Sequence, residues 1–402
     1  MKSKKVIALL TAAVMTLSLA ACGGSSDGSS SNGGSGSEQV INTYLEAEPT
    51  TLDPSRRSDL YSSDILMNVM EGLIRVEERD GKYTVVPGDA EKWESNDEGT
   101  VWTFHLGEDR KWSDGEPVTA DQYVYSLQRS ADPDTGCPNS YFVSPILNYD
   151  KISTGEASVE DLGVKAIDEH TLEITLAAPM ASFLESTDAS IFYPQRKDLV
   201  EKYGDQYGTD LDKFVYNGPF TLTEWVHNSS LKLEKNDNYW DAKNVDLETV
   251  NYQIMSDTSA YESGQLDVIA AASKEAVEKY KADDSNVYTP ISGGNITFAI
   301  YNTKDKLFSN KKIREAFTMA VDQEKVNQIA FDGLRDPLYG WIAPALSVGD
   351  KTMRSVAGDT LKDMRTETLA KTTAKDILIE GMQELGLGDD PSTLDVTFSL
   401  AG

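Results

Sequence analysis

From Gln39 onward, apolar and polar positions follow two alternating rhythms. The first has period two. In Val101 to Leu106, Trp102, Phe104 and Leu106 share one face, and Leu172, Ile174 and Leu176 repeat the arrangement. Such alternation predicts half-buried strands. Phe220 to Trp225 and Leu231 to Lys235 read as a hairpin turning at His227-Asn228-Ser229. The second rhythm is helical. Leu66, Val69, Met70 and Leu73 form one stripe. Thr119 and Gln122 make a capping box before Tyr123, Val124 and Leu127. Asn310 is placed to cap a helix carrying Ile313, Phe317 and Val321, and Asp322 the next, carrying Val326 and Ile329. Short strands interleaved with amphipathic helices predict an α/β or α+β fold. Near the end, Ala374, Ile377, Leu378, Met382 and Leu385 predict a helix stopped by Gly386, and Leu394, Val396, Phe398 and Leu400 predict a strand. A strand with one apolar face needs partners, so the expectation is a chain incomplete at its carboxyl end.

The amino terminus has a different pattern. Lys2, Lys4 and Lys5 precede an apolar run from Val6 to Ala21, too short for a comfortable membrane span and suited to a secretory leader. It ends in Leu19-Ala20-Ala21-Cys22, the bacterial lipobox pattern, in which the cysteine is acylated and becomes the new amino terminus. Residues 23–37 are almost wholly Gly and Ser and predict a flexible tether. Gly24-Ser25-Ser26-Asp27-Gly28 fits G-x-S-x-G but lacks the flanking strand and helix of a nucleophile elbow. The expected location is therefore outside the cell membrane, lipid-anchored through Cys22.

Composition removes several classes. The formal charge is −29, or −32 once the three leader lysines are gone, which repels phosphate backbones and excludes nucleic acid as a partner. With Cys22 taken for lipid, Cys137 has no intramolecular disulfide partner. His105, His170 and His227 are scattered, and no H-E-x-x-H, C-x-x-C, P-loop or G-x-G-x-x-G appears. The reading is a binding protein rather than an enzyme, with no cofactor and no metal.

Ordered motifs then carry a resemblance. They run through Glu48-Pro49-Thr50-Thr51-Leu52-Asp53-Pro54, Glu71-Gly72-Leu73, Trp102 to Leu106, Lys111-Trp112-Ser113-Asp114-Gly115, and Pro117 to Asp121. Further on come Asn217-Gly218-Pro219-Phe220, Glu224-Trp225, Leu233 to Asn236, Tyr239-Trp240, Tyr301-Asn302, Phe308, Ile313 to Ala316 and Asp322. In this order they resemble extracellular solute-binding proteins of family 5, the substrate-binding lipoproteins of oligopeptide and dipeptide ABC importers. The Asp114-Gly115 turn between the Trp102 strand and the capped helix lets Trp112 pin that helix to the sheet.

The resemblance implies a periplasmic-binding-protein type II-like α/β fold with two hinged lobes and an inserted α+β domain. The expected parts are a leader (1–21), a tether (22–37), lobe I (38–70 and 180–290), the insert (71–179) and an incomplete lobe II (291–402), lacking the rest of its carboxyl-terminal part. The implied ligand is an oligopeptide held by its main chain and delivered to an ABC permease with its cytoplasmic ATPase, the chain acting as a monomer. Oligosaccharide, nickel or haem capture, or a remnant without affinity, are the alternatives. Residues carried over as ligand contacts are Ser58, Asp59 and Leu60; Asn139 and Tyr141; Gly293, Gly294 and Asn295; and Trp341, beside Tyr339-Gly340. Core packing is the competing reading for Tyr141 and Trp341, a plain turn for the glycine pair, and a solvated loop for residues 58–60.

Overall fold

The computed structural model describes residues 39–79, 82–255, 259–283, 287, 296–343, 346–348 and 351–399. Cys22, the leader and the tether lie outside the described residues, as do Gly293, Gly294 and Asn295. The described residues fall into two compact units, 39–269 and 270–399.

In the first unit the ten expected and unexpected strands are β1 (Val40–Leu45), β2 (Ile74–Arg79), β3 (Lys82–Pro87), β4 (Ala90–Ser95), β5 (Val101–Leu106), β6 (Val164–Asp168), β7 (Thr171–Thr175), β8 (Phe220–Val226), β9 (Ser230–Lys235) and β10 (Thr249–Ile254). They build a sheet of order β1-β10-β9-β8, in which β1 and β10 are parallel and the other pairs antiparallel. A second, antiparallel sheet has the order β4-β5-β7-β6, and β2 and β3 pair as a hairpin. Period-two patterning explains the second sheet. Phe104 stands opposite Leu172, and Trp102 opposite Ile174, and Phe104, Leu172 and Ile174 are fully buried. Cross-strand apolar pairs of this kind set register as well as stability. The β8–β9 turn sits at His227-Asn228-Ser229 as expected, with Asn228 in the left-handed region at φ 59°; Asn tolerates that conformation better than most residues.

Two long helices belong to this unit, α1 (Leu60–Val69) and α2 (Ala120–Ala131). Helix α2 lies across β6 and β7. Its start behaves as the capping pattern predicts: Gln122 Oε1 accepts the Thr119 backbone N–H at 3.0 Å. The same oxygen accepts Trp112 Nε1 at 2.9 Å, and Gln122 Nε2 donates to the Pro117 carbonyl at 3.2 Å. Trp112 is itself fully buried, so it joins helix start, turn and core.

Helix α1 ends earlier than its apolar stripe. Met70 is already extended, yet Met70 and Leu73 remain buried with Leu66 and Val69. The cause is a distant segment. Asn217 accepts the Glu71 N–H and donates to the Glu71 carbonyl, both at 3.0 Å, and the Gly218 N–H donates to the Val69 carbonyl at 3.0 Å. A Cβ on Gly218 would stand 2.5 Å from the Met70 nitrogen. Only glycine allows that approach of two backbones.

Asp188 ties the β2 strand to the segment that follows β7, accepting the Val76 N–H at 3.2 Å. Burial pushes its carboxyl up to about 6, although that bond and Arg75 pull the other way. An acid with a raised folded pKa binds more protons folded than unfolded, so its contribution is full at low pH and fades as pH rises through 4 to 6. Asp188→Asn keeps the acceptor and removes the ionisation. Urea melts should show the variant gaining on the wild type by about 3 kcal/mol between pH 4 and pH 7, a value that follows from ~1.4 kcal/mol per pKa unit; a pH-independent difference would contradict this origin.

The second unit contains α3 (Lys274–Lys281), α4 (Lys311–Ala320), α5 (Gln323–Ala330), α6 (Thr360–Leu369) and α7 (Ala374–Glu384). Asn310 caps α4, accepting the N–H groups of Lys312 and Ile313, and Asp322 caps α5, accepting that of Lys325. Helices α4 and α7 pack through Ala316, Met319 and Ile377. Gly381 permits the contact, since a Cβ there would meet Ile313 Cγ1 at 2.7 Å. Residues 394–399 form no strand, and Phe398 is 71% exposed. The alternating pattern is present, but no described strand pairs with it, and a ladder needs a partner.

Candidate functional site

The loop that follows β1 is shaped by one buried carboxylate. Asp53 accepts the N–H groups of Ser55 through its side chain (3.0 Å) and of Arg56 and Arg57 through its carbonyl (3.1 and 3.0 Å). The Asp53 carboxylate also takes a two-pronged ion pair from Arg129 of α2, at 2.6 and 2.7 Å. Arg129 donates further to Gln195 Oε1 at 2.6 Å, and Gln195 Nε2 reaches Ser55 Oγ (2.7 Å) and Ser126 Oγ (2.9 Å). Glu48, at the start of the same motif, accepts Trp225 Nε1 at 2.8 Å and the Asn228 N–H at 2.8 Å. The motif residues are thus anchors. What they hold in place is residues 56–60.

The expected contacts are placed as follows. Asp59 caps α1, accepting the Ser62 N–H at 2.7 Å and Thr50 Oγ1 at 2.5 Å. Burial pushes its carboxyl up, but the bonds from Thr50 and Ser62 outweigh this and hold it below the ordinary range. Ser58 is exposed, and Leu60 is 71% exposed. Asn139 Nδ2 donates to the Arg57 carbonyl at 3.0 Å, so the 137–141 segment is joined to the 56–60 loop. Tyr141 is 62% exposed and packs against Phe142 with ring centroids 4.6 Å apart, which is a surface position and not a core one. In the second unit Trp341 is 74% exposed, with its ring edge-on to Phe298 at 5.4 Å. Ser58, Asp59, Leu60, Asn139 and Tyr141 therefore form one surface cluster, and Trp341 belongs to the other unit.

Two charged residues in this neighbourhood escaped the sequence reading. Arg57 is half-buried and donates from Nε to Ser190 Oγ at 2.8 Å. Asp64, one turn along α1 from Leu60, is pushed up to about 6 by burial and by the charge of Asp59. In sequence, an Arg-Arg pair and a helix carboxylate read as solvated charges; the only available signal was their position beside the motif.

A separate cleft of about 610 Å³ is lined by Arg75, Glu77, Glu91, Arg110, Trp240 and Asp241. Its two arginines are already engaged. Arg75 meets Glu71, Glu77 and Asp241 and donates to Tyr239 Oη at 3.2 Å. Arg110 lies 4.0 Å over the Trp240 ring and donates to the Gly88 carbonyl at 3.1 Å. This is a structural knot with a concave surface. Among the described residues, no group of three or more His, Cys, Asp or Glu could hold a metal ion.

In the first unit, an α/β body thus presents two joined surface loops, 56–60 and 137–141. The sequence profile described as Bacterial extracellular solute-binding proteins, family 5 Middle matches residues 84–397, and the chain belongs to this family. It is 32% identical over 368 residues to the dipeptide-binding protein DppE of Bacillus subtilis (strain 168), covering 90% of this chain and 65% of that one. It is 35% identical over 316 residues to the periplasmic oligopeptide-binding protein OppA of Escherichia coli (strain K12), covering 76% of this chain and 57% of OppA. The solved structure of Listeria monocytogenes OppA bound to peptide superposes with a TM-score of 0.72 at 28% identity, over 87% of this chain and 69% of that one. The α/β periplasmic-binding-protein fold expected from the motifs is the fold observed. The chain spans about two thirds or less of the length of these two curated relatives.

Proposed function

We propose that this chain captures oligopeptides on the outer side of a bacterial membrane and passes them, unaltered, to an ABC permease driven by a cytoplasmic ATPase. The observation that carries the reading is the bridge from Asn139 to the Arg57 carbonyl, which makes one surface of Ser58, Asp59, Leu60, Asn139 and Tyr141. Family membership supports it, as do relatives whose names give dipeptides and oligopeptides as ligands. Gly293, Gly294, Asn295 and Trp341 are proposed as further ligand contacts on the resemblance alone. Main-chain recognition suits a carrier of many sequences, because amide groups are common to every peptide. The chain acts as a monomeric, non-catalytic binder held to the membrane through lipid on Cys22.

A thermal melt with a mixed library of tri- to pentapeptides tests this. Ligand at a hundred times its Kd stabilises by ~2.7 kcal/mol, which raises the Tm by roughly 5–10 °C for a unit of this size. No shift at millimolar peptide would contradict the proposal.

A further inference from the structure

We infer that Arg57 is a carboxylate receptor within the candidate site, a role that rests on the peptide-binding reading and specifies the ligand's chemistry. A guanidinium carries five N–H donors in a planar fork. Among the described residues, only one of these has a partner, the Nε–H to Ser190 Oγ at 2.8 Å. The two terminal nitrogens have none, and no carboxylate of the described residues comes within ion-pair distance of them. Asp59 is near, but Thr50 and Ser62 hold its oxygens.

Three other arginines of this unit's interior provide the contrast. Arg129 meets Asp53 with both prongs, Arg75 meets three acids, and Arg110 is pressed between Trp240 and the Gly107 backbone. Arg57 alone among these four combines partial burial with an open fork. Burial lowers its pKa, an effect that Tyr193, Asp59, Cys137 and Tyr141 offset only in part. A partly desolvated cation gains most from a bidentate anion, and carboxylate is the anion that a peptide brings. The fork is also held in place: the Arg57 backbone is pinned by Asn139 on its carbonyl and by Asp53 on its N–H. Two carboxylates fit this chemistry, the peptide's own terminus and an Asp or Glu side chain.

Isothermal titration calorimetry on the intact chain separates them. The probes are tetra-alanine as free acid and as amide, and amidated Ala-Glu-Ala-Ala against amidated Ala-Gln-Ala-Ala. One pair should differ by about tenfold or more in affinity, as expected for a charge-assisted bidentate contact, and the pair that differs identifies the source. Arg57→Gln should abolish that difference, while Arg57→Lys, which keeps charge and loses the fork, should retain part of it. A purely structural role, pinning the loop to Ser190, would lower all four affinities together. That outcome, or equal affinities within both pairs for the wild type, overturns the inference and leaves peptide binding standing. Absence of heat with every probe overturns the peptide reading and the inference with it.

Discussion

Asp53→Ala is expected to destabilise the first unit by about 3–5 kcal/mol, the usual cost of leaving one member of a buried ion pair without its partner. Its thermal transition should fall by roughly 10 °C, at ~2–4 °C per kcal/mol for a unit of this size. The reason is geometric. Arg129 is largely buried and directs both prongs at Asp53, with Gln195 as its only other described hydrogen-bond acceptor. Removing the carboxylate leaves a cation in the interior and also takes away the acceptor of the Ser55 N–H, while the bonds from Arg56 and Arg57 to the residue 53 carbonyl remain. A double replacement, Asp53→Leu with Arg129→Met, should recover much of the loss, because an apolar pair of similar volume avoids the uncompensated charge. If the double variant is as unstable as the two single losses added together, the pair is not the source of the effect.

Trp112→Ala should cost a comparable ~3–5 kcal/mol, the range for deleting a large buried aromatic. Trp112 is fully buried, and its Nε1–H meets the same Gln122 oxygen that caps α2. Trp112→Phe separates the two contributions. It keeps most of the packing and removes the indole donor, so the loss should shrink to about 1–3 kcal/mol. Chemical denaturation of the three proteins decides between these. An alanine variant no worse than the phenylalanine variant would show that Trp112 does not anchor the helix to the sheet.

How far the structure could be read in advance depends on how far apart the interacting residues lie. Local patterns were legible. The Trp102/Phe104/Leu106 alternation, the Thr119–Gln122 cap, the Asn228 turn and the Asn310 and Asp322 caps each involve residues only a few positions apart, and each appears in place. Contacts between distant segments were not legible from periodicity. The end of α1 is set by Asn217, 146 residues further on, so its apolar stripe outlasts its helix. Residues 394–399 carry a strand pattern that depends on a neighbour for expression as a strand.

The candidate site divides in the same way. Ser58, Asp59, Leu60, Asn139 and Tyr141 entered through resemblance, and the bridge from Asn139 to Arg57 spans 82 residues. Arg57 and Asp64 became visible only once burial and missing partners could be seen. An exposed-looking charge in a loop gives no sequence sign that its fork is left open.

Capture without chemistry is the claim on which this account turns. It is tested most directly by incubating the intact chain with one defined peptide, removing free ligand by gel filtration, and reading the retained peptide by mass spectrometry after denaturation. The account predicts one peptide per chain at its original mass. Recovery of fragments, or of no peptide at all, would contradict it.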